Sequence, residues 1–156
     1  MPYASGRRFD TPLPTLWADN IVVASYNCSQ LYVFNADGMQ LRTLVALLCQ
    51  AVYEFGYDGG GLLSTITDVD GNVVRVERDG SGAPTAIVAP FGQRTTLTLN
   101  SANYIASVTR PGEPTTPLTY SSDGLLQTFT DGNGNLHRFT YDANGLLTRT
   151  DEAAGG

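Results

Sequence analysis

The sequence predicts an all-β fold: an antiparallel meander of about five or six β-hairpins with a 21-residue period. Three observations predict it. Gly61, Gly82, Asn103, Gly124 and Gly145 are evenly spaced, each twenty-one positions after the last. A second series, Gly71, Gly92, Gly134 and Gly155, lies ten positions into the copies, with Pro111-Gly112-Glu113-Pro114 in its place in the third. The composition agrees, because 17 Gly, 8 Pro and only 15% charged residues suit short strands and tight turns better than helices. A fixed period of about 20 residues marks an architecture of stacked or meandering repeats.

Taken in order, residues 1–20 do not fit the repeat. Pro2, Gly6, Pro12, Pro14 and the Arg7-Arg8 pair describe an extended arm with Trp17 as its large anchor. Residues 21–60 carry degenerate first repeats. Ile21–Ala24 reads as a strand, Tyr26-Asn27 as a turn and Leu31–Phe34 as the return. Phe34-Asn35-Ala36-Asp37-Gly38 matches Tyr57-Asp58-Gly59-Gly60-Gly61 and Tyr141-Asp142-Ala143-Asn144-Gly145, although the interval from Gly38 to Gly61 exceeds the period by two. The two extra residues are expected in or near the apolar run Leu44–Cys49, which periodicity leaves open between a buried strand and a short covering helix.

Residues 61–156 are the regular repeats, the last one incomplete. Each copy reads strand, turn, strand, turn; in the first, the strands are Leu62–Thr67 and Val73–Arg78. Gly supplies positive φ in the turns, and Asp or Asn tolerates it and bonds to its own backbone. The short links force antiparallel neighbours. Following columns through the copies separates two faces. One carries Ile66, Ile87, Val108 and Phe129, then Val76, Leu97, Leu118 and Phe139, then Leu99, Tyr120 and Tyr141. The other carries Thr65, Ala86, Ser107 and Thr128 with Glu77, Thr98, Thr119 and Thr140. The expectation is a one-sided sheet, curled into a partial barrel or a β-spiral, or covered by the N-terminal arm or another copy. Pro84 opens a strand, Pro90 and Pro111 fall at turns, and Pro117 lies inside a strand that is expected to be bulged or exposed there.

All nine basic residues are Arg and the net charge is −6, so phosphate or nucleic-acid binding has no electrostatic support. No window is apolar enough to span a membrane, and residues 1–20 lack the apolar core of a signal peptide. Cys28 and Cys49 are separated by the same period; a disulfide stays open, with two buried thiols the preferred reading.

No residue constellation recommends catalysis, a cofactor or a metal. Asp68-x-Asp70-Gly71-Asn72 and Asp131-x-Asn133-Gly134-Asn135 have a faint calcium-loop look, yet they lack the bidentate Glu and are what a hairpin turn demands. His137, the only histidine, occupies the column of Val74, Thr95 and Thr116 and reads as a filler of that column. Gly59-Gly60-Gly61 leads into a strand, which argues against a phosphate loop. Tyr32, Tyr53, Tyr57, Tyr104, Tyr120 and Tyr141 would serve as sugar platforms, but core packing accounts for most of them.

At Tyr57-Asp58-x-x-Gly61-Leu62-Leu63, at Asp131-Gly132-Asn133-Gly134-Asn135 and at Tyr141-Asp142-x-x-Gly145-Leu146-Leu147, the chain resembles the RHS/YD-repeat family, over roughly residues 32–156. Arg78-Asp79, Leu99-Asn100 and Tyr120-Ser121 stand where Tyr-Asp is expected in the divergent copies. The resemblance implies spirals of β-hairpins that form hollow shells, around a toxic polypeptide in bacterial toxins or within cell-adhesion ectodomains in the teneurins. It therefore implies an extracellular or cell-surface structural protein without catalysis, with an enclosed polypeptide as partner. A cell-surface glycan is the partner that the tyrosines, not the resemblance, would supply. Shells of this family are many times longer than five or six units. The segment linked to self-cleavage in toxin-bearing members is missing, since Asp142–Thr148 lacks its proline and later glycine. Because the last copy stops at Gly155-Gly156 after one strand, Leu146–Thr150, two explanations compete. The chain is a piece of a longer shell, or its open edge takes a strand from another copy, with residues 1–20 as the candidate strand. Self-association through that edge is the expectation. A self-assembling fibre or an adhesion module is the alternative to a shell wall.

Overall fold

The computed structural model describes residues 20–152; the N-terminal arm with Trp17 and the terminal Gly155-Gly156 lie outside the described residues. The described chain is all-β, a thirteen-strand antiparallel meander whose strand order follows the sequence. The strands are β1 (Ile21–Ala24), β2 (Gln30–Phe34), β3 (Gln40–Val45), β4 (Gln50–Tyr57), β5 (Leu63–Asp68), β6 (Val73–Arg78) and β7 (Pro84–Val88). They continue as β8 (Arg94–Leu99), β9 (Ile105–Thr109), β10 (Thr116–Tyr120), β11 (Leu126–Thr130), β12 (Leu136–Tyr141) and β13 (Leu147–Asp151). The expected strands Ile21–Ala24 and Val73–Arg78 stand as read; the others move by a residue at one or both ends.

The chain divides into two compact units, one formed by residues 20–56 with Thr67–Gly71, the other by Tyr57–Ile66 with residues from 72 onward. In the first unit, β3 is buried at successive residues: Thr43, flanked in the sheet by Tyr32 and Tyr53, and Leu44, flanked by Leu31 and Ala51. Val33, opposite Val22, completes that small core. The run Leu44–Cys49 is neither a buried strand nor a helix. It ends β3 at Val45 and turns through residues 46–49, leaving Leu47 and Leu48 in solvent.

In the second unit the register places the expected columns side by side. Val76 lies opposite Ile87, Leu97 opposite Val108 and Leu118 opposite Phe129, so one face is an apolar row. The row is half-buried, and Ile87 keeps 41% of its surface in water. The threonine face is not uniformly exposed, because Ala86 is fully buried there. Arg94 on β8 reaches across β7 to form an ion pair with Glu77 on β6, and Ala86, opposite Glu77 and Thr96, lies beneath that span. Replacing Ala86 with leucine is expected to lower stability by about 1–3 kcal/mol through overpacking. A chemical denaturation curve that does not move would disprove the roofed position. Pro117 is exposed, as expected, and still lies in register opposite Ser107.

Candidate functional site

The recurring unit is the hairpin turn that follows the second strand of each copy. A residue X with a short oxygen side chain opens it: Asn35, Asp58, Asp79, Asn100, Ser121 or Asp142. Its N–H donates to the carbonyl of X+4, and the N–H of X+3 donates back to X, as in Asp142 with Leu146 and Gly145 at 2.9 and 3.0 Å. The side chain of X then accepts from the next N–H groups. Asp58 Oδ1 takes Gly60 and Leu62, Asp79 takes Ser81 and Ala83, and Asp142 takes Asn144 and Leu146, all at 2.8–3.0 Å. Residue X+3 must be left-handed, which is why Gly38, Gly61, Gly82, Gly124 and Gly145 stand there. Asn103 fills the same position at φ 64°, at the cost a side chain incurs in that region. The ladder shifts by one residue beside these turns, between Glu77 and Arg78, Thr98 and Leu99, Thr119 and Tyr120, and Thr140 and Tyr141. The repeat is therefore a hairpin with a built-in bulge.

In two copies the residue before X locks this turn to the preceding hairpin. Tyr141 Oη donates to the Leu126 carbonyl at 2.8 Å, 15 residues earlier. Arg78 occupies the equivalent column three periods upstream, and its Nη2 donates to the Leu63 carbonyl at 3.1 Å, again 15 residues earlier. Its Nη1 also donates to the Gly82 carbonyl at 3.0 Å, and Nε lies 4.0 Å from Asp58 Oδ2. Arg78 thus performs the tyrosine's task with a different functional group. Sequence reasoning counted it as a divergence; the matching offset to the bonded carbonyl is the signal that identifies it.

Two turn carboxylates, Asp79 and Asp131, are held ionised. The Ser81 hydroxyl, followed by the Ser81 and Ala83 N–H groups, pulls the Asp79 carboxyl below the usual range. The Asn135 N–H and then its side-chain amide do the same for Asp131. A group whose folded-state pKa is depressed contributes stability that is present above its unfolded value of about 3.9 and lost as pH falls through the folded value. Below about pH 4, stability should therefore drop, and the double variant Asp79→Asn with Asp131→Asn should flatten that acid limb. Urea melts taken from neutral pH down to about pH 2.5 read the slope, and an unchanged slope in the double variant would refute it.

The residues singled out for chemistry fall mostly into these turns. Asp68 Oδ1 accepts from Asp70 N–H, and Asp131 Oδ1 from Asn133 and Asn135, so the calcium-like residues serve as turn caps. Among the described residues no group of three His, Cys, Asp or Glu side chains gathers as a metal site would require. His137 lies on the apolar face of β12, its ring stacked on Phe129 at 4.3 Å and its Nε2 3.5 Å from Asp131 Oδ2. Both cysteines are free. The preference for buried thiols fails at Cys28, which is exposed; Cys28 and Cys49 occupy left-handed turn positions at φ 54° and 50°. Of the tyrosines, Tyr104 and Tyr120 stack on each other at 5.0 Å. Among the described residues no helix is long and apolar enough to cross a membrane.

Comparison with known proteins agrees with the repeat. The Teneurin YD-shell family model matches residues 18–156. No curated protein matches. Solved structures similar to this chain include TcdB2-TccC3-TEV at 13% identity and a TM-score of 0.37, with 77% of this chain and 10% of that chain covered. TcdB2-TccC3-Cdc42 is similar at 13% identity and a TM-score of 0.38, covering 81% and 10%. The Tc holotoxin pore of Photorhabdus luminescens is similar at 14% identity and a TM-score of 0.35, covering 77% and 10%. This chain spans about a tenth of the length of each. With hairpin caps and left-handed glycines repeating through the matched residues, the chain belongs to the Teneurin YD-shell family.

Proposed function

We propose that this chain is a wall segment of an extracellular shell, of the kind that encloses a toxic polypeptide, and that it works without catalysis. One observation carries the reading. The apolar row of the second unit, from Val76 and Ile87 through Leu97, Val108, Leu118 and Phe129, is aligned strand by strand yet only half-covered. Such a row costs too much in water to be an end in itself, and it fits an inner wall that other repeats or an enclosed chain would cover. Membership of a shell family supports the same reading.

The edge of β13 favours a second reading. Among the described residues β13 pairs only with β12, and Leu147 is 55% exposed. A strand added there would come from further repeats or from another copy, and the latter yields a fibre. Light scattering and electron microscopy of the purified chain, with a dye that fluoresces on apolar surface, test both. The wall reading expects single particles that bind the dye while folded. Filaments that no longer bind it would favour the fibre, and single particles without dye binding would overturn the wall.

A further inference from the structure

Three departures from the repeat meet at one place in the second unit. The side chain at X+4 ordinarily covers the left-handed glycine of the following turn. Leu62, Tyr104 and Leu125 each lie within 4 Å of where a Cβ on Gly82, Gly124 and Gly145 would stand. The same offset gives the place over Asn103 to Ala83, and a methyl group is too short to fill it. Next, the residue before X in this copy is Leu99, which has no donor for the Pro84 carbonyl 15 residues earlier; Arg78 and Tyr141 serve Leu63 and Leu126 at that offset. Last, Asn103 takes at φ 64° the left-handed position that glycine holds in the other copies. A cavity of about 590 Å³ opens there, with Ala83, Pro84, Leu99, Asn103 and Ile105 in its lining. Asn103 does not close it, because the residue is exposed and its carboxamide bonds to no other described residue. A side chain that carries a left-handed backbone cost and makes no bond within the chain fits a role in contacting a ligand.

We propose that this cavity is a binding site for a 4-hydroxyphenyl group. The other copies define the ligand by what they place at the two vacant positions. One position takes the Tyr104 ring, over Gly124, and the other takes the Tyr141 hydroxyl, donating to a carbonyl. A bound phenol supplies both at once. Its ring lies over Ala83 against Leu99 and Ile105, while its hydroxyl donates to the Pro84 carbonyl and accepts from the Asn103 amide. No residue in the lining is charged, so the site selects a neutral ligand. A pocket of several hundred Å³, mostly apolar with one or two polar groups to orient the occupant, is the usual form of a small-ligand site. The site rests on the departures of one copy and stands whether or not the wall reading does.

The test uses the full chain with p-cresol and toluene as probes, and ligand-observed NMR reads the binding. p-Cresol should bind at least about fivefold more tightly than toluene, which lacks the hydroxyl. Ala83→Leu and Leu99→Tyr refill the vacant positions, so each should abolish binding without lowering the unfolding midpoint. Asn103→Gly should raise the midpoint by relieving the left-handed backbone, yet weaken p-cresol about fivefold. A blocked Gly-Tyr-Gly peptide distinguishes the sources of the phenol. Tighter binding than p-cresol assigns it to a tyrosyl side chain of a polypeptide, and equal or weaker binding to a free small molecule; both uphold the site. A lowered midpoint in Ala83→Leu would mean that no vacancy exists. That result, equal binding of toluene, p-cresol binding that survives both refilling variants, or no p-cresol binding would overturn the proposal.

Discussion

Replacing Arg78 with alanine should destabilise the chain by about 2–4 kcal/mol, because two charge-assisted hydrogen bonds are lost and two carbonyls lose their donor. Those carbonyls belong to Leu63 and Gly82, and the Arg78 guanidinium donates to both. The informative comparison is Arg78→Tyr. Tyr141 makes the same bond to the carbonyl 15 residues before it, so a tyrosine at position 78 should recover the Leu63 bond and about half of the loss. Arg78→Met, which keeps the aliphatic stem but donates nothing, should behave like alanine apart from its packing. Denaturant melts of the three variants decide the matter. If methionine matches wild type, the guanidinium is packing material and the lock at position 78 does not exist.

The second large effect is expected at Gly124. It sits at φ 83°, and a Cβ there would lie 2.3 Å from Tyr104 Oη and 2.7 Å from Cζ. Gly124→Ala therefore adds backbone strain of about 1–2 kcal/mol to the displacement of a ring stacked on Tyr120. The total should reach about 3 kcal/mol or more. Gly134→Ala is the control: φ is 85° but nothing lies within 4 Å of the added carbon, so only the strain remains, about 1–2 kcal/mol. Pairing Gly124→Ala with Tyr104→Ala should remove the excess over the control. Equal losses in the two glycine variants would mean that the tyrosine does not crowd the turn.

Much of this architecture was legible in the sequence because its causes are local. A left-handed residue three places after a capping Asp or Asn is a backbone requirement, so glycine marks it in nearly every copy, and the period is written in those glycines. Faces were legible for the same reason: the alternation of Val76, Leu97, Leu118 and Phe139 survives intact in the register. What escaped depends on side chains that reach across strands. Ala86 reads as a small residue on the polar face, yet it is buried there, with the ion pair from Arg94 to Glu77 spanning its strand. Arg78 reads as a lost tyrosine, because residue type conceals that a guanidinium and a phenol can serve one carbonyl. The run Leu44–Cys49 misled because hydrophobicity alone promises burial, whereas here a turn carries Leu47 and Leu48 outward. No catalytic, metal or cofactor residue was predicted, and that expectation now forms part of the proposal of a wall.

One 21-residue hairpin pair should be interchangeable with the next. Excising residues 84–104, one full period, joins Ala83 to Ile105 and restores every column, whereas excising 84–94, about half a period, puts the following strand out of register. Circular dichroism with thermal melting should show the full-period deletion folding cooperatively into β-structure and the half-period deletion failing to do so. If both deletions unfold alike, or both fold alike, the repeat is a pattern in the sequence and not the unit from which the fold is built.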